Sequence, residues 1–232
     1  MPCSDQSATD VSIERPKVID VTSAALKEWA VVCKALEEGR QVILLRKGGI
    51  MEYRQGFEVK HSNFFLYPTF EHQSKESLQP DYAHNLETVL HNTPVSNRNR
   101  ITSCANVLLV KEITNKSVLA GLAKYHIWNE QYINVRFSYN PKKPLNAIVL
   151  RVYKLNNPLE VDFRPEFIGC KSWIRIQLSL SETKLRGRAK AQQEYDNQPR
   201  SAVDIVKPDC QPVFNDSEFT QIVTELQEVL SR

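Results

Sequence analysis

Basic side chains fall at the ends of the most apolar runs in this chain. Val42–Leu45, Val107–Val110 and Ala147–Leu155 read as strands apolar on both faces, the pattern of central strands in a covered sheet. Arg46 and Lys47 follow the first run, Lys111 follows the second, and Arg151 and Lys154 lie in the third. A guanidinium taken out of water without a partner costs several kcal/mol. Arg46 and Arg151 must therefore meet carboxylates, with Glu52, Asp162 and Glu166 as candidates, or stand at the sheet rim. If the strands run parallel, their basic ends converge on one edge, where α/β sheets hold ligands, and attract an anion. If they run antiparallel, the charges scatter.

Other clusters offer different chemistry. Glu71 and His72 follow Tyr67-Pro68-Thr69-Phe70, where a loop displays polar side chains. Near neutral pH His72 can act as a general base, oriented by Glu71 or a more distant carboxylate. With His61 it could bind a metal, but this irregular spacing is a weak ligand pattern beside HExxH. The plainer alternative is a turn whose His bonds a backbone carbonyl. His126-Ile127-Trp128, with Tyr132 and Arg136 beyond, could set an aromatic ring and a guanidinium beside a nucleobase. It could equally be a helix-end His above a core Trp. Gly169-Cys170-Lys171-Ser172-Trp173 could hold a phosphate oxygen but is too short to wrap a phosphate as a P-loop does. Cys170 beside Lys171 could have a lowered thiol pKa, yet no base pairs with it. Glu58-Val59-Lys60 echoes half of a metal-dependent nuclease site without an upstream aspartate. We expect no metal site and no cofactor.

At 41% apolar and 25% charged, 232 residues can build an ordinary globular core. A net charge of +3 permits contact with nucleic acid or anionic lipid without demanding it. Cys3, Cys33, Cys104, Cys170 and Cys210 form no CxxC pair, which suits free thiols in a reducing, cytoplasmic compartment. The opening MPCSDQSATDVSIERP lacks the basic start and apolar run of a secretory signal. No run approaches the ~18 apolar residues of a membrane span, so no membrane partner is expected. GxGxxG and GxxxxGK[ST] phosphate loops are both absent.

These side chains need elements to position them. Residues 1–20 read as a flexible lead-in. Thr22 or Ser23 can cap a helix to about Glu38, with Leu26, Trp29, Ala30, Cys33 and Leu36 on one stripe and Gly39 as the stop. A strand at 42–45, a Gly48-Gly49 turn and a return strand over 50–59 follow. Phe64–Tyr67 reads as a strand stopped by Pro68. Asp81 can cap a helix carrying Leu86, Val89 and Leu90; residues 91–100 read as a loop. Helix character returns over 115–127, with Val118, Leu119 and Leu122 inward, and Tyr132–Phe137 alternates weakly. Residues 181–201 are almost devoid of apolar side chains and read as a charged linker or excursion. Beyond Asp216, Phe219, Ile222, Val223, Leu226, Val229 and Leu230 line one face of an amphipathic helix.

Five blocks carry a family resemblance: LKEWAVVCKALEEGRQVILLRKGGI, HSNFFLYPTFEHQ, HIW, KPLNAIVLRVYKL and GCKSW. Together, over roughly residues 24–180, they resemble a bacterial family common in cyanobacteria, numbered eighteen-zero-two among the domains of unknown function. The resemblance implies a bacterial, soluble, single-domain protein and transfers no catalytic residue. The helix, glycine and strand over 36–46, ending in Leu45-Arg46, also resemble distantly the PUA-like RNA-binding barrels.

The expected fold is mixed α/β: a central mixed sheet of five to seven strands flanked by helices, with the C-terminal helix docked on it. We expect a main domain over 21–180, the excursion over 181–201 and a docking segment over 202–232. The leading functional expectation is a binding module for a phosphate-bearing ligand, RNA, DNA or a phosphorylated small molecule, using Arg46, Lys47, Tyr67, Arg151, Lys171 and Trp173. The alternatives are a small hydrolase or nuclease using Glu71 and His72, and a scaffold whose protein partner docks on 181–201.

Overall fold

The computed structural model describes residues 21–47, 58–94, 97–169, 171–177, 205–206 and 208–232. Its framework is a curled, seven-stranded mixed sheet. In spatial order the strands are β3 (Ile43–Arg46), β6 (Leu145–Asp162), β5 (Arg98–Ile113), β4 (Asn63–Thr69), β2 (Ala24–Trp29) and β7 (Trp173–Arg175), with β9 (Cys210–Pro212) also on β6. β1 (Val21–Thr22) and β8 (Ile205–Val206) make a separate antiparallel pair. Among the described residues the one parallel pair in the large sheet is β2 with β4.

Alternation along β4 shows why both faces are covered. Phe64 and Leu66 enter the larger core, while Phe65 and Tyr67 enter a second cluster on the opposite face. The larger core takes Val32 and Leu36 from α1 (Ala30–Glu37), Leu86 from α2 (Pro80–His91), Leu122 from α3 (Val118–Leu122), Ile133 from α4 (Glu130–Ser138) and Phe219 and Leu226 from α5 (Asp216–Leu230). The second cluster holds Ile101, Tyr153, Phe167 and Ile174. Register shifts at 101/103 and 107/109 bend the long β5–β6 ribbon. The curl brings β3, first in the spatial order, back against β2. There the Arg46 guanidinium lies 2.8 Å from Glu28 Oε2 and donates to the Lys27 carbonyl at 2.6 Å.

Several local expectations give way. Residues 24–29 are strand, and helix begins only at Ala30. The stripe through Leu26 and Trp29 fits a helix, but β4 and β7 flank this segment and satisfy its backbone on both sides. Pro68 does not stop its strand: it pairs with Glu28 in the β2 ladder, while the β4–β5 ladder covers only residues 63–65 of β4. On that side the Asn99 amide donates to the Pro68 carbonyl at 2.7 Å. Gln79, not Asp81, occupies the N-cap of α2, and Leu90 is 42% exposed. Strand β5 begins at Arg98, inside the expected loop. The 115–127 helix is shorter, ending in a turn of 3-10 helix over Ala123–Tyr125. Tyr132–Phe137 is helical because the Asn129 side chain caps α4 by accepting from the Tyr132 amide at 2.8 Å. The expected return strand over 50–59 falls mostly, and the 181–201 excursion wholly, outside the described residues.

The C-terminal helix follows its pattern. An Asn215–Glu218 capping box starts α5, and Phe219, Val223, Leu226 and Leu230 are buried. No helix among the described residues is long and apolar enough to cross a membrane.

Candidate functional site

Parallel pairing of β2 and β4 sets their C-terminal ends side by side, with Glu28 opposite Pro68 and Trp29 opposite Thr69. β2 passes directly into α1, so the first helical amides need partners from elsewhere. Gln73 supplies one, its Oε1 accepting from the Val31 amide at 2.9 Å. The chain reaches that position through a left-handed His72 (φ 59), a conformation costing on the order of 1–2 kcal/mol for a residue with a Cβ. The Glu28 Oε1 accepts from the Trp29 amide at 2.9 Å, and Thr69 Oγ1 donates to the Glu28 carbonyl at 3.1 Å.

A cavity of about 300 Å³ opens at this edge, the lower end of the ligand-site range. β2 contributes Lys27, Glu28 and Trp29; β3 contributes Arg46; Thr69, Glu71 and His72 come from the end of β4 and the turn after it. Trp128, Tyr132 and Arg136 close one side, and Gly169, Lys171 and Ser172 another. Trp128 stacks on Tyr132 with centroids 4.6 Å apart, and Trp29 meets Trp128 edge-on at 5.0 Å. Lys27 Nζ donates to the carbonyls of Phe167 (2.5 Å) and Gly169 (2.8 Å), and Lys171 Nζ to that of Glu166 (3.2 Å). The Lys27 bonds fasten Phe167 and Gly169 to the cavity edge.

The charges differ in how well they are matched. Arg46 and Glu28 form a largely buried pair, with side chains 17% and 10% exposed. Arg136 sits one turn beyond Tyr132 on α4, its guanidinium 5.9 Å from that ring. Arg136 is half-buried, no described carboxylate lies within ion-pair distance of it, and its Nε is buried without a hydrogen-bond partner among the described residues. Burial, and next the Arg136 charge, hold the Lys47 ammonium below its ordinary pKa. The C-terminal carbonyls of α4 offset part of this crowding, since Lys47 donates to the Phe137 carbonyl. Burial pushes the Tyr132 phenol up, while Arg136 and Arg46 oppose that shift.

The six residues expected to bind a ligand do not share one surface. Arg46 and Lys171 line the cavity. Lys47 is buried behind it, 5% exposed. Tyr67 belongs to the second apolar cluster and lines a smaller adjoining cavity. Arg151 is 2.5 Å from Asp216 and 4.8 Å from the Phe219 ring, so it anchors α5. Trp173 packs edge-on against His61 and Phe64 and donates to the Glu58 carbonyl at 2.9 Å. Among the described residues Arg46 pairs with Glu28 and Arg151 with Asp216, rather than with Asp162 or Glu166; Glu52 lies outside the described residues. Of the two arrangements open to the basic strand ends, the scattered one holds, because β3, β5 and β6 pair antiparallel. Glu71 and His72 stand exposed on the cavity lip. Among the described residues no cluster of three or more His, Cys, Asp or Glu could hold a metal ion.

Lys27, Glu28 and Trp29 escaped notice as site residues because their segment read as helix. Trp128, Tyr132 and Arg136 did stand out as an aromatic and basic group, but nothing in their spacing placed them opposite Arg46. The nearest available signal was Asn129 before Glu130, a helix start that sets Tyr132 and Arg136 on one face.

No curated protein matches the chain. Solved structures of the ASCH protein ZmASCH from Zymomonas mobilis resemble it at 12% identity. A serine-to-alanine mutant aligns over 87% of this chain and 94% of that one with a TM-score of 0.36. A crystal structure of ASCH from the same organism aligns over 87% of this chain and 93% of that one with a TM-score of 0.35. The family model described as "Domain of unknown function (DUF1802)" matches residues 25–202, and the chain belongs to that family.

Proposed function

We propose that the chain binds a phosphate-bearing ligand in the cavity between β2, β3 and α4, the ligand being a nucleotide or a nucleotide of an RNA or DNA strand. The observation that carries this reading is Arg136, a half-buried guanidinium beside a cavity with no described carboxylate in reach. A guanidinium in that position favours an anion, and its planar fork suits phosphate. Four Lys or Arg side chains line the cavity against two Glu, so the field inside favours negative charge. Trp29, Trp128 and Tyr132 supply the apolar, aromatic wall that a planar base requires.

Titration of a fluorescently labelled single-stranded RNA at about 50 and about 200 mM salt tests the reading. Binding that weakens with salt, and an Arg136→Ala variant that lowers the salt slope by about one with an unchanged melting temperature, support it. Absence of binding at the lower salt, or binding indifferent to salt, overturns it.

A second reading has its own support. His72 is held left-handed on the cavity lip beside Glu71, and such backbone strain clusters at working sites. In this reading His72 acts as general base on the bound ligand, with Glu71 orienting it. His72→Ala then abolishes turnover of the bound strand and leaves the melting temperature nearly unchanged. A large loss of stability would assign His72 to structure instead.

A further inference from the structure

A second cavity of about 190 Å³ adjoins the first and shares Lys27, Thr69 and Glu71 with it. Its chemistry is different. Tyr67, Phe70, Phe163, Phe167 and Ile168 give it an aromatic and apolar lining. Phe163 and Ile168 remain 41% and 54% exposed, apolar surface left to water at the mouth of a cavity. The cations here are already engaged: Arg98 lies 2.8 Å from Asp162, and Lys27 donates to the Phe167 and Gly169 carbonyls. Asn99 is committed too, donating to the Pro68 carbonyl and accepting from the Arg100 amide. The buried Tyr67 hydroxyl, at the cavity wall, lies beside the Asn99 side chain but makes no well-formed hydrogen bond among the described residues, which leaves it open to a better partner. The first cavity therefore favours an anion with a ring, whereas the second favours a neutral, flat group carrying hydrogen-bonding atoms.

We infer that the ligand is an unpaired strand of at least two nucleotides, whose neighbouring base enters the second cavity while its phosphate stays over Arg136 and Lys171. This rests on the phosphate-binding reading of the first cavity. A nucleobase meets both demands of the second cavity, since its faces stack on aromatic rings and its edge offers acceptors. Both bases must be free of partners to enter, so duplexes are excluded as ligands.

Calorimetric titration of the full chain with AMP, with the phosphorylated dinucleotide pApA and with the same dinucleotide lacking its second base tests the inference. The expected result is that pApA binds about 5- to 150-fold more tightly than the other two, the worth of one stacked base. Phe163→Ala should bring the pApA-to-AMP ratio close to one without altering the AMP affinity. Tyr67→Phe should lower the ratio less and leave the melting temperature nearly unchanged, because its hydroxyl makes no well-formed hydrogen bond among the described residues. AMP binding with no advantage for pApA, or an advantage that survives Phe163→Ala, overturns the inference and leaves the first cavity's reading intact. No binding of either probe at low salt overturns both.

Discussion

Arg46 and Arg151 both stand on strands of the same sheet, and each meets a carboxylate beside aromatic rings. Arg46 meets Glu28 at 2.8 Å near Trp29 and Tyr132, and Arg151 meets Asp216 at 2.5 Å over Phe219. The surroundings differ in what fills the space before the arginine. At Arg151 the chain supplies α5, whose capped first turn brings both Asp216 and Phe219. At Arg46 a cavity of about 300 Å³ remains, with Arg136 beside it unmatched by any described carboxylate. Residue type does not separate a structural arginine from a ligand-facing region; the presence or absence of an intramolecular partner does.

The largest effect should come from Arg46→Ala. Glu28 is then left buried without its counter-charge where the curl closes, at a cost of about 3–5 kcal/mol in urea unfolding. Arg151→Ala should cost only about 1–2 kcal/mol, because Asp216 is 48% exposed and turns to water, leaving mainly the lost packing on Phe219. Equal losses would break the comparison.

Acid should weaken the cavity side next. His126 is 4% exposed, its Nδ1 accepts from the Trp128 amide at 3.2 Å, and burial lowers its pKa from 6.5 to about 4. As pH falls below 6.5 the unfolded chain takes up this proton first. The stability His126 contributes is therefore complete above pH 6.5 and lost as pH falls towards 4, about 3 kcal/mol in all. Urea unfolding of wild type and His126→Gln across this range should show a steeper pH slope in the wild type; parallel slopes would contradict the assignment.

The smallest effect is expected at the turn. His72→Gly relieves the left-handed strain and should raise stability by about 1 kcal/mol. A loss would mean that the His72 side chain supports the fold.

Much of the framework was legible from periodicity. Phe64–Tyr67, Ala147–Leu155 and the α5 stripe declare themselves because each is buried by a repeating local pattern. The site was less legible, since its edge comes from long-range pairing. Ala24–Trp29 becomes strand through β4 and β7, partners about 40 and 150 residues away along the chain. Arg46 reaches Glu28 where the curled sheet brings β3 back against β2, and no local spacing encodes that meeting. The aromatic and basic group at 128–136 was visible as a set of residue types, while its position opposite β2 was not.

Tryptophan fluorescence tests the central claim most directly, because Trp29 and Trp128 line the cavity and Trp173 does not. Titration of a Trp173→Phe variant with AMP at low salt should quench the remaining emission, and Arg136→Ala in that background should abolish the quenching at the same concentrations. Quenching confined to proteins that retain Trp173, or unchanged by loss of Arg136, would contradict a phosphate-bearing ligand bound between β2, β3 and α4.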